Sequence, residues 1–230
     1  MAINENLQRI SGEIDCCCQR IGRKRDDLRL MAVSKFHSED KVLQALNAGQ
    51  TLFGESRVKE ATEKFSAIKS GAANCELHLI GTLQRNKAKQ AVETFDCVQS
   101  VDRDSIISEL GEITSNRKKL LPILLELNSG EESKSGYPNE DSLFFAAEKA
   151  LGYPYLKLSG LMTIAPFTDD DKIVRTAFAN LAAAQVHLQK RFSDCDWSCL
   201  SMGMSSDFKI AIEEGSTLIR IGTSIFGERA

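Results

Sequence analysis

Eight short apolar runs, each followed by a segment of helical character, succeed one another along the chain, and this alternation restricts the fold more than any single motif does. The runs cover residues 30–34, 51–53, 77–80, 97–101, 120–127, 156–164, 197–202 and 218–221. The fifth is nearly all apolar, so it has no polar face to turn toward water. Strands buried on both faces belong to parallel sheets, whose crossover connections are helices. Eight such units in an unbroken chain specify a closed (β/α)8 barrel of the TIM type. A doubly wound open sheet is the alternative, but no G-x-G-x-x-G follows the first strand. No Gly/Ser/Pro linker divides the chain, so residues 1–230 read as a single barrel domain.

Ahead of the first strand, Ile3, Leu7, Ile10, Ile14, Cys17 and Ile21 recur at spacings of four and three. That stripe predicts an amphipathic helix over residues 3–22, ending near Gly22 and covering the barrel from outside. Ser38-Glu39-Asp40 opens a helix that Gly49 closes, and another runs from Gly54-Glu55-Ser56 through Phe65 to Gly71. Further helices are expected at about 85–93, after Asp102 as N-cap, at about 139–150, from the aspartates 169–171, and at about 207–214.

The totals remove several classes of function. A net charge of -3 and a pI near 5.7 leave no basic surplus for a nucleic-acid backbone. No apolar run reaches the ~20 residues of a membrane helix, and the polar first residues do not have the form of a secretory signal. Seven cysteines without a C-x-x-C pair read as reduced thiols, not as a zinc site or a disulfide framework. A cytoplasmic protein with neither nucleic acid nor membrane as partner is expected.

In such a barrel the chemistry collects at the C-terminal ends of the strands. The first strand, in L-R-L-M-A-V-S-K, closes on Lys35. Desolvating an ammonium group at the end of an apolar run lowers its pKa toward a nucleophilic amine able to form a Schiff base. The plainer alternative is a lysine reaching solvent. The other ends bring Glu55 and Ser56, His78 and Gly81, Asn128, Met162 and Thr163, Ser201 with Gly203, and Arg220 with Gly222 and Thr223. S-M-G-M-S-S-D, which contains Ser205, follows strand seven, and R-I-G-T-S-I-F-G follows strand eight. Small residues there let backbone N–H groups approach an anion, at the two ends where these barrels commonly hold phosphate. A reactive lysine facing a phosphate cradle describes a phosphorylated aldehyde held covalently, and pyridoxal 5'-phosphate carries both groups. If Arg220 reaches the pyridine nitrogen, that nitrogen stays unprotonated, because a guanidinium only donates. The alternative for Arg220 is a structural ion pair. His78 reads equally as a neighbour of the cofactor ring and as a satisfied interior histidine, Met162 as pocket wall, and Ser201 as a further cofactor contact. His37 and His187 are expected to lack partners. Lys134, in a polar loop, is the only other lysine considered for the Schiff base.

The segments A-V-S-K (32–35), F-G-E (53–55), H-L-I-G (78–81), S-K-S-G (133–136), G-L-M (160–162), L-S-M-G-M-S-S-D (200–207) and G-S-T-L-I-R-I-G-T-S-I-F-G (215–227) span nearly the whole chain. In that order they resemble the pyridoxal phosphate homeostasis proteins of the YggS/PROSC type. The resemblance implies a single-domain barrel of the alanine racemase N-terminal domain type, with Lys35 as the Schiff-base lysine. It places Ser205, Gly222 and Thr223 at the phosphate and Arg220 at the pyridine nitrogen. Where the family often reads F-G-E-N this chain has Ser56, so a hydrogen bond from that asparagine is weakened or replaced.

The resemblance also implies a role in vitamin B6 and amino-acid homeostasis without established turnover, with apo pyridoxal phosphate enzymes as recipients. Racemisation needs a proton donor on each face of the substrate carbon, and related racemases take the second from a tyrosine tied to an additional domain. Tyr137, Tyr153 and Tyr155 instead cluster around the fifth helix, so no second base is apparent and a non-enzymatic, monomeric protein is expected. The competing readings are an amino-acid racemase or other pyridoxal phosphate-dependent enzyme, a class I aldolase-like barrel, and a partner-binding regulator.

Overall fold

The computed structural model describes residues 2–71, 74–131 and 135–228. Helix α1 (Ile3–Arg20) precedes β1 (Arg29–Val33), α2 (Glu39–Asn47), β2 (Leu52–Glu55), α3 (Val58–Gly71), β3 (Glu76–Leu79), α4 (Ala88–Thr94) and β4 (Cys97–Val101). The chain continues through α5 (Asp104–Arg117), β5 (Leu121–Glu126), α6 (Glu140–Leu151), β6 (Leu156–Met162), α7 (Asp171–Arg191), β7 (Cys199–Ser201), α8 (Phe208–Glu213), β8 (Leu218–Ile221) and α9 (Thr223–Phe226). The strands pair in parallel in sequence order and β8 closes on β1, so the expected (β/α)8 barrel is present.

Two layers of apolar side chains hold it. Met31, Val33, Leu52 and Leu218, with Cys97, Leu124 and Met162, fill the lumen. The larger layer lies between sheet and helices and takes in Ile10 and Ile14 of α1 together with Phe53, Phe65, Phe178 and Trp197. Each large side chain buried in this way contributes about 1.5–3 kcal/mol. The predicted covering helix is therefore α1, which also reaches the far end of the chain: Asn6 Nδ2 donates to Ile225 O (2.9 Å) and Arg9 Nη2 to Ser224 O (3.1 Å).

Three expectations need correction. Asp102 does not cap α5; Arg103 occupies the N-cap, and the Asp102 carboxylate accepts from its guanidinium at 2.5 Å. A charged donor next door outcompetes a backbone N–H. Strand seven covers three residues where six were expected; just ahead of it Ser198 N–H donates to the Asp196 side chain (3.0 Å) and not to a neighbouring strand. Strand two runs on through Glu55, which places that residue in the sheet and not in the loop after it. Helix α9 was not foreseen; four residues are too few for a helical period to register. Among the described residues no helix is long and apolar enough to cross a membrane.

Candidate functional site

Alternation along β1 turns Met31 and Val33 into the lumen, and the next position in that series is Lys35, half-buried at the C-terminal mouth. Its backbone is held from both sides. Ser34 N–H donates to Gly54 O (3.0 Å), its hydroxyl to Glu55 Oε1 (2.7 Å), and its carbonyl accepts from Lys64 Nζ (2.9 Å). Beyond it, Phe36 has φ 66°, its N–H donates to Glu60 Oε1 (2.7 Å), and the Arg57 guanidinium lies 4.9 Å over its ring. A left-handed backbone on a bulky residue costs about 1–2 kcal/mol and persists because neighbouring contacts over-determine it. Glu55 faces outward beneath α3, where Lys64 Nζ approaches Oε1 to 2.9 Å, yet burial still pushes its carboxyl above the ordinary value. Lys64 is thus committed outside the lumen, to Glu55 and Glu60.

Arg220 on β8 pairs in register with Met31 and is 4% exposed. Its Nη1 donates to Ser201 O (2.6 Å) and Ser201 Oγ (2.7 Å), and its Nη2 to Thr163 O (2.7 Å). Those partners are neutral oxygens, which departs from the ion pair weighed for this arginine. Burial brings its pKa down to about 10, against the pull of Asp207 and Glu126, so it remains a cation near neutrality. A guanidinium has five N–H donors, and the bonds named leave Nε and the second Nη2 hydrogen to offer to the lumen. Met162, 1% exposed, stands in register with both Glu126 and Ser201.

Glu126 was missed in the sequence. It lies two residues beyond lumen-facing Leu124, is 4% exposed, and accepts from Ser135 Oγ (3.0 Å) at Oε1. Oε2 has no hydrogen-bond partner among the described residues, and burial pushes the carboxyl up to about 7. The signal was available: a carboxylate closing an apolar strand is as anomalous as Lys35 closing β1.

The two hydroxyl-rich turns follow adjacent strands. Asp207 Oδ1 accepts from Met204 N–H (2.5 Å), and Met204 O accepts from Asp207 and Phe208 N–H (3.2 and 2.9 Å), which places Ser205 in the closed turn after β7. After β8, Gly222 O accepts from Ile225 and Phe226 N–H (2.9 and 3.0 Å), so the N–H groups of Thr223 and Ser224 precede the first intrahelical bond. A Cβ on Gly222 would stand 3.2 Å from Val33 O, against the strand that carries Lys35. Ser56 sits beside Gly81, where any Cβ would overlap Ser56 O. Lys35, Ser56, Met162, Ser201, Ser205, Arg220, Gly222 and Thr223 therefore share the C-terminal half of the barrel.

His78 is placed elsewhere. Its Nε2 is 2.6 Å from Glu76 Oε1 and its Nδ1 2.7 Å from Gln99 Nε2. It lines a cavity of about 540 Å3 with Arg29, Glu76, Cys97 and Leu218, the first residues of their strands. Strand three begins at Glu76, so His78 opens to the N-terminal mouth, as the interior-histidine reading requires. His37 and His187 have partners after all: His37 lies against the Phe226 ring (centroids 5.1 Å apart) and His187 Nδ1 is 2.8 Å from Glu140 Oε1. Lys134 lies outside the described residues. Tyr137 donates its hydroxyl to Asp104 Oδ1 (3.1 Å), on the helix side of the sheet.

The alanine racemase N-terminal domain family model matches residues 6–230. A pyridoxal phosphate homeostasis protein of Vibrio cholerae is 40% identical over 231 residues, covering 99% of this chain and 97% of its own. PipY of Synechococcus elongatus, solved with pyridoxal phosphate bound, is 31% identical with a TM-score of 0.86, over 98% of this chain and all of that one. An alanine racemase of Clostridium difficile, 14% identical with a TM-score of 0.75 over 99% of this chain and 56% of its own, shares the fold alone. The residues and motifs quoted from the sequence, the closed barrel and these full-length matches agree: the chain belongs to the pyridoxal phosphate homeostasis protein family.

Proposed function

We propose that the protein binds pyridoxal 5'-phosphate at the C-terminal mouth of the barrel and holds it for vitamin B6 and amino-acid homeostasis, without catalytic turnover. The observation that carries this reading is Arg220: a buried cation, bonded to neutral oxygens, with donors left for the lumen that Lys35 also faces. The names of the relatives and the cofactor bound in PipY support it.

When bound, the cofactor supplies an aldehyde that condenses with an amine and a ring that withdraws electrons. Lys35 provides the amine and serves as the tether. Ser205, Gly222 and Thr223 offer hydroxyls and backbone N–H groups to the phosphate. Arg220 donates to the ring nitrogen and keeps it unprotonated, which weakens the ring as an electron sink. Met162 and Ser56 wall the site, and Ser201 acts on the ring through Arg220. Tyr137 is engaged with Asp104, so it does not supply a second proton donor to the lumen. The protein acts in the cytoplasm as a monomer and passes the cofactor to apo enzymes.

Borohydride reduction of the loaded protein followed by peptide mass analysis tests the assignment. A pyridoxyl group on Lys35, lost in Lys35→Ala, is the expected result. No adduct, or an adduct on another lysine, would overturn it.

A further inference from the structure

A file of polar side chains crosses the lumen from Arg220 to the opposite mouth. Arg220 Nη1 donates to Ser201 Oγ (2.7 Å), and the Ser201 hydroxyl donates to Gln99 Oε1 (2.6 Å). Gln99 Nε2 lies 2.7 Å from His78 Nδ1, and His78 Nε2 lies 2.6 Å from Glu76 Oε1. Ser201 and Gln99 are fully buried and His78 is 5% exposed, so each depends on its neighbours for its hydrogen bonds. Five residues from β3, β4, β7 and β8 are joined in this way.

With the Gln99 oxygen at Ser201, one direction of donation satisfies every group between the ends. A guanidinium can only donate, so Ser201 Oγ accepts from it and turns its own hydrogen to the Gln99 oxygen. Gln99 must then present its NH2 group to His78, whose Nδ1 accepts. The ring proton is left on Nε2, directed at the Glu76 carboxylate. All four bonds run the same way, from a buried cation at one mouth to an anion at the other. The hydrogen bond from His78 is the foremost reason that the Glu76 carboxyl is held down at about 2. Arg220 is thus joined to Glu76 through three intervening side chains.

We propose that Gln99, His78 and Glu76 are positioning residues for Arg220: by setting the direction of the Ser201 hydroxyl they complete the restraint that the Ser201 and Thr163 carbonyls place on the roll of the guanidinium, and so on which N–H meets the cofactor ring nitrogen. This rests on the reading that Arg220 faces that nitrogen. It makes Glu76, half-exposed beside Arg29 at the far mouth, a remote determinant of the cofactor's electronic state.

The test is a titration of wild type, Gln99→Met and Glu76→Gln with pyridoxal 5'-phosphate, reading the dissociation constant and the absorption maximum of the bound cofactor. Gln99→Met keeps the volume and removes both links; about tenfold weaker binding and a displaced absorption maximum are expected. Glu76→Gln sits at the surface and tolerates substitution, so it decides the matter even if Gln99→Met does not fold. It is expected to move the maximum in the same direction, with binding roughly threefold weaker. Leu124→Val loosens lumen packing while leaving all five relay side chains in the sequence, and should leave the maximum in place. Wild-type spectra and affinities in both relay variants would overturn the proposal, as would a Leu124→Val shift equal to theirs. A change in Gln99→Met alone would overturn the role of Glu76. Failure of wild type to take up the cofactor on Lys35 would instead refute the binding function itself.

Discussion

Glu126→Gln separates the electrostatic account of the lumen from a purely steric one. The carboxyl titrates at about 7 in the folded protein against an ordinary 4.5, because burial disfavours its charged form. Between those values the folded state holds a proton that the unfolded chain has released, so stability falls as pH rises through the window. At about 1.36 kcal/mol per pH unit, the span from pH 5 to 7 amounts to about 2–3 kcal/mol. For a protein of this size that corresponds to roughly 4–12 °C in Tm. Burying a glutamine amide has its own penalty, but the penalty is the same at pH 5 and pH 8 and cancels in the difference between them. The assay is therefore the change in Tm between pH 5 and pH 8, followed by circular dichroism on cofactor-free protein. Wild type should lose more stability than Glu126→Gln over that interval, by the amount above. An equal change in the two proteins would refute the reasoning.

Lys64→Met leaves Glu55 buried without its counter-charge and should cost about 3–5 kcal/mol in urea unfolding; wild-type stability would show that the pair is dispensable. Gly160→Ala puts a Cβ into Cys199 O at a residue with φ 140°, so β6 and β7 must part, and a loss above about 4 kcal/mol or insoluble protein is expected. Arg220→Ala and Thr223→Ala should each weaken cofactor retention on dialysis by about tenfold or more while far-UV dichroism stays that of the barrel. Unchanged retention in both would count against the cradle.

Much of this architecture was legible because buried parallel strands must be apolar, and eight such runs are hard to arrange otherwise. The C-terminal ends were legible for the same reason: Lys35 and the turns around Ser205 and Thr223 interrupt apolar patterns where polar groups need a purpose. What escaped was direction. Glu55 closes β2 just as Lys35 follows β1, but it faces α3 and not the lumen. His78 stands before the same H-L-I-G turn that made it a candidate, yet opens to the opposite mouth. For Glu55 a one-residue difference in where the strand ends decides the face, since successive side chains alternate; for His78 the height of the strand in the barrel decides the mouth. Glu126 and Gln99 were passed over because a single polar residue in an apolar run reads as noise until its partners, far away in sequence, are in place.

The clasp between α1 and α9 has a temporal consequence. Asn6 and Ile225 are 219 residues apart, and at ordinary rates of about 5–20 residues per second that interval takes roughly 10–40 s of synthesis. Gly222 caps α9 and Thr223 opens it, so on the ribosome this turn is made after all eight strands and then waits on the docking of α9 to the first helix. On the proposed function, Lys35 is made long before the turn that would hold the phosphate, and the two halves of the site meet only when this clasp closes.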